Sequence, residues 1–307
     1  MTQRLDPREM AESIVETELG RPAGPLIPVE SQSSRVFVGR DVVVKLAEHS
    51  RLDREIRLAG HLSPGLTPQL LAGGARSFDG RSVQFACYPR APGVTPGAGL
   101  PGVDVATARS LAEQAMERLA VLHRWRPPDD VAEILRQPLD HGGFTTRDEL
   151  LGLVEQLVAA DRHRVVDRAL VHGLVSVAEG APRAARTDVP VHADCYWENW
   201  LASDGDLTAL LDFEWARFGD PLDDYFFLVS FSGEHEAAVM DVVAEAAGIS
   251  GSALRRECEV RQATFLVSDI LLALTGDESN LPGQLLTRRL ASLEQLVTGR
   301  RWHPSVP

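Results

Sequence analysis

Apolar and polar residues alternate in short runs near the start of the chain. Residues 33–38 and 42–46 are rich in apolar, branched side chains and flank the turn-forming sequence Gly39-Arg40-Asp41. Branched side chains favour the pleated strand, and a short turn between two such runs is typical of a hairpin. These residues are therefore predicted to form two antiparallel strands that begin a sheet.

One helix and one further strand are predicted after this hairpin. Residues 49–62 carry apolar side chains at helical spacing and end at a Ser-Pro-Gly sequence, which predicts a helix. The pair Gly73-Gly74 predicts a turn, and residues 82–88 alternate as a strand does. Prolines and glycines then recur through residues 89–102, and they predict a connection between two lobes.

The rest of the chain changes to long amphipathic patterns. Apolar positions recur at helical spacing in five segments, which are residues 105–122, 148–160, 165–179, 234–247 and 253–276. Thr145 and Thr146 are candidates for capping the second of these helices. Short apolar runs at 189–201 and 207–211 flank a turn at 203–206. This part of the chain is predicted to be a mainly helical lobe that contains one hairpin.

Composition narrows the classes of function. A length of 307 residues fits two unequal lobes better than one compact core. The formal net charge of −13 argues against binding to a nucleic acid backbone and favours a cationic ligand. The charged N-terminus and short apolar runs predict neither a signal peptide nor a membrane span, so we expect a cytoplasmic protein. The three cysteines lack paired spacing, which favours neither disulfides nor zinc.

The strongest chemical signal is the sequence from His192 to Asn199, followed by Asp212 after the next apolar run. Phosphoryl transfer needs an aligned acceptor hydroxyl, a group that takes its proton, and a cation that neutralises the phosphate charge. An aspartate, an asparagine five residues later and a second aspartate beyond a strand supply these groups from one rigid hairpin. Mg²⁺ prefers such hard oxygen ligands.

This segment resembles the HxDxxxxN loop and the following metal-binding aspartate of the aminoglycoside phosphotransferases, which are relatives of the protein kinases. By position, the resemblance implies that Asp194 is the catalytic base and that His192 supports the loop. It also implies that Asn199 and Asp212 bind magnesium. The family's usual glycine after the histidine is Ala193 here, and Tyr196 replaces a second histidine. These two departures bear on the acceptor subgroup.

A lysine in a strand of buried type supports the same resemblance. Lys45 follows three valines, where a lone charge would be costly without a partner, and Glu55 lies in the next predicted helix. In the kinase-like fold, such a lysine holds the α- and β-phosphates and such a glutamate holds the lysine. The alternative is a lysine that reaches the surface and a glutamate on a solvated helix face.

The resemblance also implies where the nucleotide binds. The loop that contains Ser33 and Ser34 lies where the family's nucleotide-covering loop belongs, and its amides and hydroxyls are candidate phosphate donors. Cys87 and Tyr88 match the family's hinge strand, where backbone groups receive the base of ATP or GTP.

Downstream residues are expected to support the loop or to bind the acceptor. Asp224 ends a segment that resembles the family's GDPxxD sequence, so we expect it to hold loop amides; His123 is expected to cap or pack. Candidate groups for binding amines of the acceptor are Glu198, Glu234, Glu236 and Asp269. Of these, Asp269 interrupts an apolar run and needs a partner if it is buried.

The predicted fold is α+β and bilobal, with a small β-rich N-terminal lobe that has one helix and a larger, mainly helical C-terminal lobe. The expected bounds are 1–88 for the nucleotide-binding lobe, 89–102 for the hinge and linker, and 103–307 for the catalytic and acceptor-binding lobe. The expected activity is Mg²⁺-dependent transfer from ATP or GTP to a hydroxyl of a small, cationic molecule of the aminoglycoside type. Two alternatives remain, namely a metabolic kinase for choline, homoserine or a sugar, and a non-catalytic member that only binds nucleotide or ligand.

Overall fold

A computed structural model describes residues 5–31, 34–48, 52–139, 143–275, 283–299 and 301–303, without the side chains of 283–285. The chain forms two compact units. The first contains Met1–Gly97, Trp125–Leu135 and Asp194–Ala216, and the second contains Ala98–Arg124, Arg136–Ala193 and Arg217–Pro307. The sequence-based bounds at 88 and 103 stay a prediction.

The first unit contains a five-stranded antiparallel sheet. Its strands are β1 (Ile27–Val29), β2 (Arg35–Val38), β3 (Val42–Glu48), β4 (Ala72–Phe78) and β5 (Arg81–Pro89), in the order β1-β2-β3-β5-β4. The predicted hairpin is confirmed as β2 and β3. The predicted turn at Gly73-Gly74 is wrong, because both glycines lie inside β4. A Cβ on Gly73 would lie 2.9 Å from a methyl group of Ile56, so this glycine marks close packing rather than a turn.

Helices pack on both faces of this sheet. Helix α1 (Pro7–Glu18) was not predicted, and its buried Ile14 and Val15 pack against alternate residues of β3 and β5. Helix α2 (Asp53–Ala59) is shorter than predicted; residues 49–51 lie outside the described residues, and the helix ends at Ala59. Its apolar side chains pack on the opposite face, against Ala47, Ala86 and Tyr88.

A second hairpin, β7 (Trp200–Ser203) and β8 (Asp206–Leu210), belongs to the same unit. Val94 and Ala202 exchange two backbone hydrogen bonds of 2.9 and 2.8 Å, and the Leu210 amide donates to the Leu66 carbonyl at 2.8 Å. The hairpin is therefore held against the segments that precede and follow the last two strands of the sheet.

The second unit is mainly helical, as predicted. It contains α3 (Val105–Arg124), α5 (Arg147–Ala160), α6 (Arg168–Gly180), α7 (Pro221–Ser230), α8 (Glu236–Ala247), α9 (Gly251–Thr275) and α10 (Gly283–Val297), with α4 (Asp129–Arg136) at the boundary. A short pair of strands, β6 (Val189–Val191) and β9 (Arg217–Gly219), completes it. The predicted cap of α5 is confirmed at Thr146, whose side chain accepts from the Glu149 amide.

Trp302, near the end of the described residues, lies in this helical unit. Trp302 is fully buried, and its indole N–H donates to Gln262 Oε1 at 2.6 Å. In the described ranges no single helix is long and apolar enough to cross a membrane. The bent pair Gly233–Ala247 and Gly251–Thr275 has the length and apolar composition of a span only when its two parts are taken together.

Two helical glycines are expected to respond oppositely to alanine. In α6, a Cβ on Gly173 would lie 2.4 Å from Val297 Cβ on α10, whereas a Cβ on Gly152 in α5 would meet nothing within 4 Å. Gly173→Ala is expected to lower the free energy of unfolding by about 1–3 kcal/mol through overpacking. Gly152→Ala is expected to raise it by up to about 1 kcal/mol, because alanine favours the helix. Urea denaturation checks both, and equal stabilisation by the two changes would contradict the close contact of α6 and α10.

Candidate active site

A buried lysine lies between two carboxylates on one face of the sheet. Residues alternate between the two faces along β3, so Val44 points towards α1 while Lys45 points towards α2. There, Lys45 Nζ lies 2.9 Å from Glu55 Oε2 and 3.2 Å from Asp212 Oδ1. The side chains of Lys45 and Glu55 are only 12% and 6% exposed, so the pair is well shielded from water.

The electrostatics of this cluster follow from burial and charge. Burial disfavours the charge of Lys45, but Glu55 and Asp212 outweigh it and raise the pKa of the lysine above its ordinary value. Burial raises the pKa of Glu55, and bonds from Lys45 and Tyr88 oppose that shift. Lys45 therefore stays protonated at neutral pH and presents a fixed positive charge.

The loop that carries Asp194 is fixed by its own residues. The Asn199 side-chain amide donates to the Asp194 carbonyl at 2.7 Å and to Asp194 Oδ2 at 3.2 Å. The buried indole of Trp200 donates to the Cys195 carbonyl at 2.9 Å, and the Asn199 backbone amide donates to the Tyr196 carbonyl at 2.9 Å. Asp194 itself is half-buried, and the contact from Asn199 constrains the position of its carboxylate.

Asp212 lies two residues after the end of β8 in a left-handed backbone conformation, with φ 65° and ψ 71°. This region is uncommon for residues other than glycine, and such strain is concentrated at functional sites. The amide of Leu211 donates to the Asn199 carbonyl at 2.8 Å, which brings the two predicted metal ligands together. A short 3₁₀ helix, Phe213–Trp215, follows.

Arg54 belongs to the same region, although the sequence did not predict a role for it. It is buried beside Glu55 on α2, and its Nη1 donates to the Ala216 carbonyl at 2.8 Å, just beyond the 3₁₀ helix. Helix α2 is thus linked to the Asp212 segment directly by Arg54 and indirectly by Glu55, whose partner Lys45 also faces Asp212. Arginine is rarely buried without a partner, so a buried arginine is a sign of a specific contact. The sequence does not show that Arg54 is buried, and this sign was therefore not available before the structure.

The oxygens available here fit a magnesium ion. Asp212 Oδ1 is buried and lies 3.2 Å from Lys45 Nζ, so its carboxylate is a hard anionic oxygen donor beside a fixed positive charge. The nitrogen of the Asn199 amide makes the contacts with Asp194, which leaves its oxygen as a ligand. No cluster of three His, Cys, Asp or Glu ligands occurs in the described part of the chain. Mg²⁺ is usually held by one or two protein groups together with substrate phosphates, so the donor set suits it.

In the second unit, Asp224 holds the segment that leads into the loop. Its carboxylate accepts from the backbone amides of His192 and Ala193 at 3.1 and 2.7 Å and lies 2.8 Å from His123 Nε2. Burial opposes ionisation of Asp224, but the bonds from His123 and the loop outweigh it and lower its pKa. Ala193 has a φ of 64°, so alanine occupies a left-handed conformation where the family has glycine.

The predicted nucleotide contacts differ in what the structure shows of them. Ser33 lies outside the described residues, and Ser34 has a buried hydroxyl with no hydrogen bond to the rest of the described chain. Cys87 points into the core with α1, and its carbonyl accepts from the Leu71 amide at 2.8 Å. Tyr88 lies on the opposite face, where its hydroxyl donates to Glu55. Their roles in binding nucleotide stay predictions.

The four candidate acceptor ligands lie in both units. Glu198 is exposed and hydrogen-bonded to Tyr196, while Glu234 is exposed in the short 3₁₀ helix Gly233–His235 before α8. Glu236 lies 3.4 Å from Arg301, and Asp269 lies 2.6 Å from Arg289. The arginine is the partner that Asp269 was expected to need. Whether any of the four binds an acceptor stays a prediction.

The sheet with a buried Lys-Glu pair, together with the Asp-Asn-Asp hairpin, has the organisation of a kinase-like fold. Solved structures share it. A GDP complex of aminoglycoside 2'-phosphotransferase IIIa has a TM-score of 0.77 at 20% identity over 96% of this chain and 100% of its own. A GDP and kanamycin complex of APH(2")-IIia has a TM-score of 0.72 at 20% identity over 94% of this chain and 98% of its own. Macrolide 2'-phosphotransferase type I has a TM-score of 0.62 at 20% identity over 95% of this chain and 99% of its own.

The family follows from the sequence itself. The model of the APH phosphotransferase enzyme family matches residues 26–259. The chain therefore belongs to this family of small-molecule phosphotransferases, as the resemblance predicted. No curated protein sequence matches the chain significantly.

Proposed function

We propose that this protein transfers the γ-phosphoryl group of ATP or GTP to a hydroxyl of a small cationic molecule of the aminoglycoside type, with Mg²⁺. One observation supports this above the others: five groups that phosphoryl transfer uses lie in one compact unit, namely Lys45, Glu55, Asp194, Asn199 and Asp212. A decayed, non-catalytic member would be expected to have lost at least one of them.

In the proposed mechanism, each residue acts on charge or on a proton. Lys45 neutralises the α- and β-phosphates, and Glu55 holds Lys45. Asp194 accepts the proton of the acceptor hydroxyl. The hydroxyl oxygen bonds to the γ-phosphorus while the bond from the γ-phosphorus to the oxygen shared with the β-phosphate breaks, and that oxygen leaves with the nucleoside diphosphate. Asn199 and Asp212 would hold Mg²⁺, which neutralises charge on the phosphates when bound.

The acceptor is proposed from charge. The protein has a net charge of −13, and Tyr196 and Glu198 are hydrogen-bonded beside Asp194, where a phenol face and a carboxylate suit an ammonium group. Burial and the nearby Asp194 and Glu198 raise the pKa of Tyr196, so the phenol stays neutral. Of the structurally similar enzymes, APH(2")-IIia forms a complex with kanamycin, and another is a macrolide phosphotransferase. Resistance or self-protection in the cytoplasm is the proposed setting.

A matched acceptor panel tests the proposal. Purified protein, Mg²⁺ and either ATP or GTP are offered aminoglycosides, macrolides, choline, homoserine and neutral sugars, and nucleoside diphosphate release is measured. We expect turnover with amine-bearing antibiotics and an acceptor KM that rises with salt, because screening weakens the attraction of charges. Preferred turnover of choline, homoserine or a sugar would favour the metabolic alternative. Tight nucleotide binding without any turnover would favour the non-catalytic one.

A further inference from the structure

The second oxygen of the Glu55 carboxylate has its own partner. The Tyr88 hydroxyl donates to Glu55 Oε1 at 2.8 Å, while Glu55 Oε2 faces Lys45 Nζ at 2.9 Å. Both contacts follow from strand alternation, since β3 and β5 pair with Lys45 opposite Ala86 and Val43 opposite Tyr88. Tyr88 and Lys45 therefore lie diagonally on the same face of the sheet, beneath α2.

The tyrosine ring is well placed to act as a fixed support. Tyr88 is 8% exposed and packs with Leu52 just before α2, with Ala59 of α2, and with Ala47 and Ala86 of the sheet. A buried carboxylate that loses one of its donors bears a desolvation penalty, which favours any other orientation that restores a bond. The hydroxyl on a rigid ring thus fixes the orientation of Glu55.

The orientation of Glu55 matters because Lys45 has a competing partner. Lys45 Nζ lies only 0.3 Å farther from Asp212 Oδ1, at 3.2 Å, than from Glu55 Oε2, at 2.9 Å. If Glu55 turns away, the lysine charge pairs with Asp212 instead. Asp212 is the proposed metal ligand, so this pairing would remove both a phosphate contact and a metal ligand from the reaction.

We propose that Tyr88 is a positioning residue, whose hydroxyl holds Glu55 so that Lys45 is available to the nucleotide phosphates. This role rests on the proposed function. It differs from the hinge contact expected from the sequence, which uses the backbone of Tyr88, because here the side chain acts through Glu55.

Tyr88→Phe tests this, because it keeps the ring and removes only the hydroxyl. We expect kcat/KM for the nucleotide to fall by about 10- to 100-fold, the effect of losing a hydrogen bond to a charged group. The acceptor KM should stay unchanged. The control is Gln84→Met, which removes another bond from β5 to the start of α2, donated by the amide of Leu52, the residue before the helix, to Gln84 Oε1 at 2.9 Å. It should leave nucleotide kcat/KM close to that of wild type; an equal loss in both variants would show that only the placement of α2 matters and would overturn the proposal.

A double-mutant cycle with Glu55→Met separates this inference from the proposed function. If Tyr88 acts through Glu55, adding Tyr88→Phe to Glu55→Met changes kcat/KM little, whereas a full additive loss would overturn the role. Absence of turnover in wild type would refute the proposed function instead. Wild type, the two single variants and the double variant are then compared by urea unfolding. If the shifts in midpoint of the two single variants do not add up to the shift of the double variant, the hydroxyl-carboxylate contact is supported; if they add up strictly, it is overturned.

Discussion

Replacing Asp194 with alanine is expected to lower kcat by about 10²- to 10⁴-fold, the usual contribution of a general base. The nucleotide KM should change little, because Lys45, Glu55 and Asp212 contact one another without Asp194. The loop should keep its shape, since Asn199 still donates to the backbone carbonyl at position 194 and Trp200 to that of Cys195. Steady-state kinetics with each substrate varied in turn provides the measurement.

Asp204→Ala is the matched control for this change. Asp204 lies in the exposed turn of the same hairpin, between β7 and β8, and its carboxylate accepts from the neighbouring Ser203 hydroxyl at 3.0 Å. It should retain wild-type kcat. If Asp194→Ala also retained wild-type kcat with the fold intact, the base would have been assigned to the wrong residue.

Lys45→Met is expected to lower the free energy of unfolding by about 3–5 kcal/mol, because it leaves Glu55 buried without its cation. It should also remove most nucleotide turnover, since a neutral side chain does not offset phosphate charge. Adding Glu55→Met should restore most of the stability, because the two partners are then replaced together by apolar groups. It should restore none of the activity. Denaturant unfolding and nucleotide kinetics on the same samples test both statements.

A surface pair on the same sheet is the control for the buried one. Arg81 and Glu48 lie 3.9 Å apart with side chains 42% and 49% exposed, and Arg81→Met should change the free energy of unfolding by less than about 1 kcal/mol. If Lys45→Met were no more destabilising than Arg81→Met, the lysine would not depend on a buried partner. If the Lys45 and Glu55 double variant regained turnover, the role assigned to Lys45 would be wrong.

The parts of the site that could be predicted are those encoded locally. A lysine after three valines and a glutamate in the next helix stand in the order that the fold requires, and β3 and α2 bring them to 2.9 Å. Asp194, Asn199 and Asp212 were recognisable because one hairpin carries all three. Helix α1 had a readable signal as well, since Asp6 and Glu9 form a capping box with Pro7 between them, but the run was not recognised as a helix.

The residues that could not be predicted depend on contacts between distant segments. Gly73 resembles a turn residue until α2 is seen to pack against β4. Arg54 contacts Ala216, far along the chain, and the Tyr88 hydroxyl contacts Glu55 across the sheet. Asp269 likewise interrupts an apolar run for a reason that lies in α10, where Arg289 pairs with it. The spacing of residues within one segment does not indicate which distant segment will contact it.

The most direct test of phosphoryl transfer follows the γ-phosphate itself. Wild-type protein and Asp194→Ala are incubated with γ-labelled ATP or GTP, Mg²⁺ and an amine-bearing aminoglycoside, and the products are separated by chromatography. We predict that wild type moves the label onto the acceptor and that Asp194→Ala does so far more slowly. Label that remains on the triphosphate, or that appears only as inorganic phosphate with every acceptor tried, would contradict the proposed transfer to a small-molecule hydroxyl.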